Sequence, residues 1–314
     1  MTELSYEAVE AEKALHPPVS PPGSAGRSGR LKSWLMAPAV ISLLLWMIVP
    51  LGMTIYFSFI RYNLLNPTNS GFAFFENYIF LAGDPSFWPA IINTLLFIGS
   101  VLVISIVFGV LFAVLYDQEF FGKNVAMLLV IAPFFVMPTV SALVWKNMIM
   151  HPVYGLISLV CQKPGLPAID WFAQYPLFSV IVIVSWEWIP FSFLILVTAI
   201  KSLDREQREA AAIDGAGPIA QFFYIVVPHL GRAMAVVVMI ETIFLLSVFA
   251  EIYTTTGGGP GNATTTLAYL VYALGLQQFD AGIASAGGIL AVILANIVSI
   301  FLVRMLARNL QTAN

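Results

Sequence analysis

Residues 201–230 read KSLDREQREAAAIDGAGPIAQFFYIVVPHL. They form the longest polar interruption in an otherwise apolar chain and carry Lys201, Asp204, Arg205, Glu206, Arg208, Glu209 and Asp214. Asp204 is placed to cap a helix starting at Arg205, because its carboxylate accepts a hydrogen bond from an orphan N–H of the first turn. Arg205 to Ile213 is rich in strong helix formers, and Gly215 and Gly217 supply the backbone freedom that ends such a helix. Pro218 suits the first turn of a second helix, which Pro228 closes or kinks. The expectation is a short helix, a glycine elbow and another short helix, lying outside any bilayer. A merely solvated connection has no need of Ala210, Ala211, Ala212 and Gly215 lined up before a Gly-Ala-Gly end. Small residues let another surface approach closely, which points to a docking helix.

The rest of the chain explains why a polar stretch stands out. Of 314 residues, 59% are hydrophobic and 10% charged, against about a quarter charged in soluble domains. The net charge of −3 is less informative than where the charges fall. The single cysteine, Cys161, excludes an internal disulfide framework, redox CxxC pairs and thiolate metal clusters. His16, His151 and His229 are too scattered to suggest a metal site. Residues 1–30 hold Glu3, Glu7, Glu10, Glu12 and the run VSPPGSAGRSGR without a sustained apolar stretch, which reads as a flexible tail and not as a signal peptide.

Six segments are long enough to cross a hydrocarbon core, which takes about 20 apolar residues. They lie at approximately 34–60, 87–116, 124–149, 176–200, 233–256 and 282–306. The fold class expected is therefore an all-α polytopic membrane protein, with residues 31–314 forming one transmembrane domain. Residues 262–279 are uncharged but rich in Thr, Tyr and Gln, and read as a re-entrant or interfacial stretch. With a cytoplasmic N-terminus, eleven Lys and Arg residues fall inside and three (Arg61, Lys146 and Lys163) outside. Basic residues collect on the cytoplasmic side, so both termini and the 201–230 loop, between helices 4 and 5, are expected there. Pro38, Pro50, Pro133, Pro138 and Pro190 are expected to kink their spans. The run 257–261, GGGPG, marks a sharp turn.

Three carboxylates fall within apolar spans: Glu187, Glu241 and Glu251. An ionisable side chain in hydrocarbon is costly and faces a bundle interior or a watery path. Glu251 lies near the end of its span and is expected to reach water; Glu187 and Glu241 lie deeper and are expected to line a path. Trp188 and Phe191 beside Glu187 offer aromatic faces to a carbohydrate whose hydroxyls a carboxylate can bind. Glu241, Phe244, Leu245 and Val248 fall at i, i+3, i+4 and i+7, one helical stripe.

Glu209-Ala210-Ala211, three residues, Gly215, nine residues, then Ile225-x-Val227-Pro228 resembles the EAA loop of membrane subunits of binding-protein-dependent ABC importers. Val227 stands where the family usually has Leu. The resemblance covers roughly residues 32–310. It implies that the loop forms a coupling helix seated in a cytoplasmic ATPase subunit, through Glu209, Ala210, Ala211, Asp214 and Gly215. Against the maltose-type permease subunit it implies sugar contacts at Glu187, Trp188, Phe191, Glu241, Phe244, Leu245 and Val248. The stretches IAPFFVMPTVSALVWKNM (131–148), TIFLLSVFAEI (242–252) and QFDAGIASAGG (278–288) look most like permeases for sorbitol, mannitol and related polyols.

The function implied is that of a non-enzymatic permease subunit in the bacterial inner membrane, importing a polyol or sugar. Its implied partners are a second permease subunit, an ATPase homodimer holding ATP and Mg, and a periplasmic or extracellular solute-binding protein, with membrane lipid around it and no nucleic acid. The chain itself is expected to bind no cofactor and no metal. It has no GxxxxGK[ST] phosphate loop, the nearest run, GGGPGN, lacking the lysine. An ion-coupled carrier using Glu187 and Glu241 as a relay leaves the EAA loop unexplained. A membrane enzyme with those two as acid and base lacks a nucleophile or metal set.

Overall fold

The computed structural model describes residues 25–162 and 167–311. Most of the expected tail, residues 1–24, and the expected outer residues Lys163 and Pro164 lie outside the described residues. The last six tail residues belong to the first helix, α1 (Ala25–Ser58), which continues through Pro38 and Pro50. The chain divides at Met53 into two compact units. In the first, residues 36–53 form an apolar helical run whose large side chains are exposed, Trp46 at 83%. A helix apolar on every face suits a lipid environment.

In the second unit, a two-residue ribbon pairs β1 (Ile60–Arg61) antiparallel to β2 (Gly71–Phe72). Helix α2 (Glu76–Gly83) follows, then α3 (Phe87–Leu115). The ribbon is pinned by buried Asn77, whose Nδ2 donates to the carbonyls of Ser58 and Ile60, both at 2.9 Å. Next comes a broken pair: α4 (Lys123–Ile131) with a 3-10 turn, then α5 (Pro138–Val144) with a π turn to Ile149. Helices α6 (Leu156–Gln162), α7 (Trp171–Gln174) and α8 (Pro176–Lys201) lead to α9 (Arg205–Ile213) and α10 (Pro218–Gln221). After a π turn come α11 (Val227–Leu245), α12 (Ala250–Thr255), α13 (Leu267–Tyr272) and α14 (Ala281–Gln311).

Among the described residues five helices are long and apolar enough to span a membrane: Met36–Ser58, Phe87–Leu115, Pro176–Lys201, Pro218–Leu245 and Ala281–Leu302. A sixth results if Lys123–Phe135 and Pro138–Ile149, bent by 107°, count as one. The span expected at 124–149, with kinks at Pro133 and Pro138, is thus broken just before Pro138. A proline disfavours helical geometry in the residue before it, and Met137 and Val136 are both extended, with ψ of 135° and 133°. The fifth span also moves, from the expected 233–256 to 218–245. Pro228 neither closes nor breaks it, because the π turn Phe222–Val226, closed by Val227 N–H to Phe222 O, loosens the turn before Pro228. The span ends at Leu245, well short of the expected end. The stretch 262–279 carries only one short apolar helix, Leu267–Gln277, in keeping with its reading as less than a span.

The core is built on α3 against α8. One apolar cluster joins Phe97, Val101, Val180, Val184, Val238, Leu245 and Ile252. A second, towards the α9 end, joins Ala113, Tyr116, Phe193, Leu196, Ile200 and Leu230. Backbones approach closely where Gly109 meets Ser192: a Cβ on Gly109 would lie 2.7 Å from Ser192 Cβ and 3.2 Å from Phe193 N. Small residues at such crossings are how membrane helices gain packing contacts. Gly109→Ala is expected to cost about 1–3 kcal/mol through overpacking. Gly99→Ala, on the same helix with nothing within 4 Å, is expected to be neutral or stabilising by up to about 1 kcal/mol. Thermal unfolding of both variants in detergent checks the contrast.

Candidate functional sites

The 201–230 loop folds as a capped elbow. Asp204 accepts from Glu206 N at 3.0 Å and α9 follows. It ends with Gly215 N–H on Ala212 O (3.1 Å) and Ala216 N–H on Ala211 O (2.9 Å), the paired bonds of a Schellman C-cap. Gly215 sits at φ +85°, where a side chain is strained. Gly217 then caps α10. Arg208 Nη1 meets Asp117 Oδ2 at 2.5 Å, tying α9 to the turn after α3. Glu209, Ala210, Asp214 and Gly215 are exposed and Ala211 is half-buried. Beside them lie Ile213 (86% exposed) and Tyr224 (83%), with Ile219 and Phe223 also exposed. The sequence reading passed over these four apolar residues, although Ile213 and Tyr224 stand out as bulky and apolar within a polar stretch.

The intramembrane residues separate into two places. Glu187, Trp188, Phe244 and Val248 line a cavity of about 400 Å³. Phe134, Val136 and Pro138 from the broken pair close it on one side, and Ser247, Phe249, Ala250 and Glu251 on another. Its aromatic wall is continuous: Trp188 lies 5.4 Å from Phe244 and 6.0 Å from Phe134, centroid to centroid. Phe191 stacks on Phe134 at 5.9 Å, backing the wall. Glu187 and Glu251 are 6% and 4% exposed. Glu187 Oε1 has no hydrogen-bond partner among the described residues.

Glu251 therefore does not reach water as expected. The reason is the helix break: α11 stops at Leu245, residues 246–249 are irregular, and α12 turns Glu251 into the cavity. That stretch, Leu246-Ser247-Val248-Phe249, holds no Gly or Pro. Phe244 O accepts both the Ser247 hydroxyl (2.8 Å) and the Ser247 N–H (3.0 Å). The expected single stripe is divided, and only its last member, Val248, lies beyond the break. Glu241 and Leu245 face the packed interior, while Phe244 and Val248 border the cavity.

Glu241 is fully buried and does not line the cavity. Its Oε2 accepts from Ser105 Oγ at 2.6 Å and its Oε1 from Ser192 Oγ at 2.7 Å. One carboxyl thus ties α11 to both α3 and α8. Lys146, expected outside the membrane, donates to Thr254 O (3.2 Å) and Thr255 O (2.6 Å) at the end of α12. No group of three or more His, Cys, Asp or Glu suited to a metal ion occurs among the described residues.

Residues 105–312 match the family of the binding-protein-dependent transport system inner membrane component. The chain belongs to this family. It is accordingly a multi-pass inner-membrane component, a permease subunit of a binding-protein-dependent ABC transport system. A probable ABC transporter permease of Sinorhizobium fredii is 32% identical over 81% of this chain and 82% of its own length. The trehalose/maltose transport system permease of Thermococcus litoralis is 30% identical over 85% and 90%. A solved bacterial ABC transporter involved in importing the acidic polysaccharide alginate shares the fold, with a TM-score of 0.74 at 24% identity, covering 90% of this chain and 98% of that one.

The two tie-points of this permease give a direct test. Interhelical hydrogen bonds in membranes average about 0.6 kcal/mol each, so Glu241→Leu, which removes two and takes its acceptor from the buried Ser192 hydroxyl while Ser105 keeps Leu102 O at 3.2 Å, is expected to cost about 1–2 kcal/mol. Ser105→Ala and Ser192→Ala are each expected to cost less, and both effects should appear as lowered midpoints of thermal unfolding in detergent.

Proposed function

We propose that this chain is the permease subunit of an importer that takes up a polyol or sugar, sorbitol- or mannitol-like, with the cavity at the α11–α12 break as its share of the path. The observation that carries this reading is the composition of the cavity. Carboxyl groups of Glu187 and Glu251 stand ready for hydroxyls, beside the aromatic faces of Trp188 and Phe244 that suit C–H surfaces of a carbohydrate. The likeness to the trehalose/maltose permease favours a second reading, a disaccharide or another glycoside in the same site. Of the seven residues expected along the path, Glu187, Trp188, Phe244 and Val248 contact the cavity, Phe191 supports it, and Glu241 and Leu245 act in holding the helices.

In this reading the elbow faces the cytoplasm, which the distribution of basic residues supports, and both termini lie there. Glu209, Ala210, Ala211, Asp214 and Gly215 dock into one ATPase subunit of a pair, with Ile213, Ile219, Phe223 and Tyr224 giving the docking surface its apolar area. A second permease completes the pore, and a solute-binding protein delivers the solute outside. ATP and Mg bind to the partner ATPases. Closure of those subunits pushes on α9, and the Arg208–Asp117 pair passes that push to the end of α3.

The test is co-purification through a tag on this chain, with ATPase activity measured against candidate polyols and disaccharides and their loaded binding protein. Gly215→Asp is expected to abolish recovery of the ATPase, since its left-handed φ costs about 1–2 kcal/mol for an L-residue and the cap holds the docking face. Glu209→Lys is expected to lower recovery without affecting insertion. Normal transport by either variant removes the docking role. Trp188→Ala is expected to raise the half-saturating solute concentration about tenfold, equivalent to about 1.4 kcal/mol of lost contact. Unchanged stimulation with every solute takes Trp188 out of the path.

A further inference from the structure

Resting on the cavity being the solute path, its charge sets a further limit. Both ionisable groups that line it, Glu187 and Glu251, are carboxyls, and no Lys, Arg or His among the described residues lines it. The neighbouring cation, Lys146, is engaged by the carbonyls of Thr254 and Thr255 and lies outside the lining. Glu187 is nine-tenths buried and its Oε1 is unpartnered among the described residues. Its neighbour Glu251 is no more exposed. The remaining wall is aromatic, aliphatic or the hydroxyl of Ser247.

We propose that this cavity excludes anions: it admits neutral or cationic polyhydroxy solutes and rejects those bearing a carboxylate, sulfonate or phosphate. An anion entering it gives up its hydration and finds no countercharge, which is among the costliest arrangements a protein interior offers. A neutral hydroxyl meets an acceptor in an ionised carboxyl and an acceptor or donor in a protonated one. A solute cation adds attraction to the carboxyls and to the faces of Trp188 and Phe244. This is discrimination by a repulsive wall as much as by a fitting one. Nothing in the fold itself imposes it, because the same fold occurs in a transporter involved in importing an acidic polysaccharide.

The charge of the cavity is read without any solute by cysteine chemistry. Ser247→Cys is introduced together with Cys161→Ser in the assembled importer in detergent. It is treated with cationic trimethylammonioethyl or anionic sulfonatoethyl methanethiosulfonate. The thiolate attacks the reagent sulfur, a mixed disulfide forms and methanesulfinate leaves; the intact mass of this chain gives the rate, normalised to a free thiol. The expected cation-to-anion ratio is above ten, falling towards one when E187Q and E251Q are added. Should the double change prevent assembly, E251Q alone is expected to lower the ratio at least threefold. A ratio near one at the introduced thiol, or one untouched by these substitutions, overturns the proposal.

A matched solute series separates this inference from the carbohydrate reading. Glucitol, glucamine and gluconate differ at one terminal carbon, which is neutral, cationic or anionic. Saturation-transfer NMR on the importer without its binding protein is expected to detect the first two and not gluconate. Gluconate binding equal to glucitol overturns the anion rule. Binding of none of the three counts against the polyol assignment, and the cysteine ratio then decides the charge rule by itself.

Discussion

A chain in hydrocarbon has to pair its own backbone groups, and irregular backbone at membrane depth is tolerated only where it is buried in protein or lines a cavity. The permease follows this constraint at both of its intramembrane interruptions. Residues 136–137, between α4 and α5, and residues 246–249, between α11 and α12, converge on the same cavity. At the second interruption Phe244 O accepts the N–H and the hydroxyl of Ser247, and the carbonyls at the far end of α12 accept from the Lys146 ammonium. Two breaks that would be costly facing lipid become walls of the cavity that holds Glu187 and Glu251.

The same constraint sorts the three carboxyl groups. Glu241 has both oxygens bonded to hydroxyls on neighbouring helices, so its polarity is used up in packing. Glu187 retains an oxygen with no partner among the described residues and stands at the cavity with Glu251. Sequence depth does not distinguish these roles, because all three lie in apolar surroundings. The difference is whether partners are supplied by the chain or left to whatever enters.

The elbow carries the same logic to the end of the bundle. Its helix is closed at one end by Asp204 and at the other by a Schellman pair through Gly215 and Ala216, and α9 is tied to the turn after α3 through Arg208 and Asp117. Helix α3 in turn donates Ser105 to Glu241 and gives Gly109 to the close crossing with α8. A set of specific contacts thus runs from the exposed elbow into the packed interior: an ion pair, then a hydroxyl on a buried carboxyl and a glycine at a close crossing.

The sequence by itself determined the class, the membrane spans in outline and the capped elbow ended by glycine, because these rest on local chemistry: apolar length, an Asp before a helix and a Gly after it. It also located four of the cavity's residues, Glu187, Trp188, Phe244 and Val248. Only the tertiary structure decided that the fifth span stops at Leu245, since residues 246–249 contain no breaking residue and read as uninterrupted helix. That stop moved Glu251 from an expected watery edge into the cavity and took Val248 off the helix that carries Glu241, Phe244 and Leu245. The physical reason is that a helical period assumes one axis, whereas at the break at 246–249 the ring of Phe249 packs against Tyr269 and Tyr272, contacts that a later segment of the chain supplies.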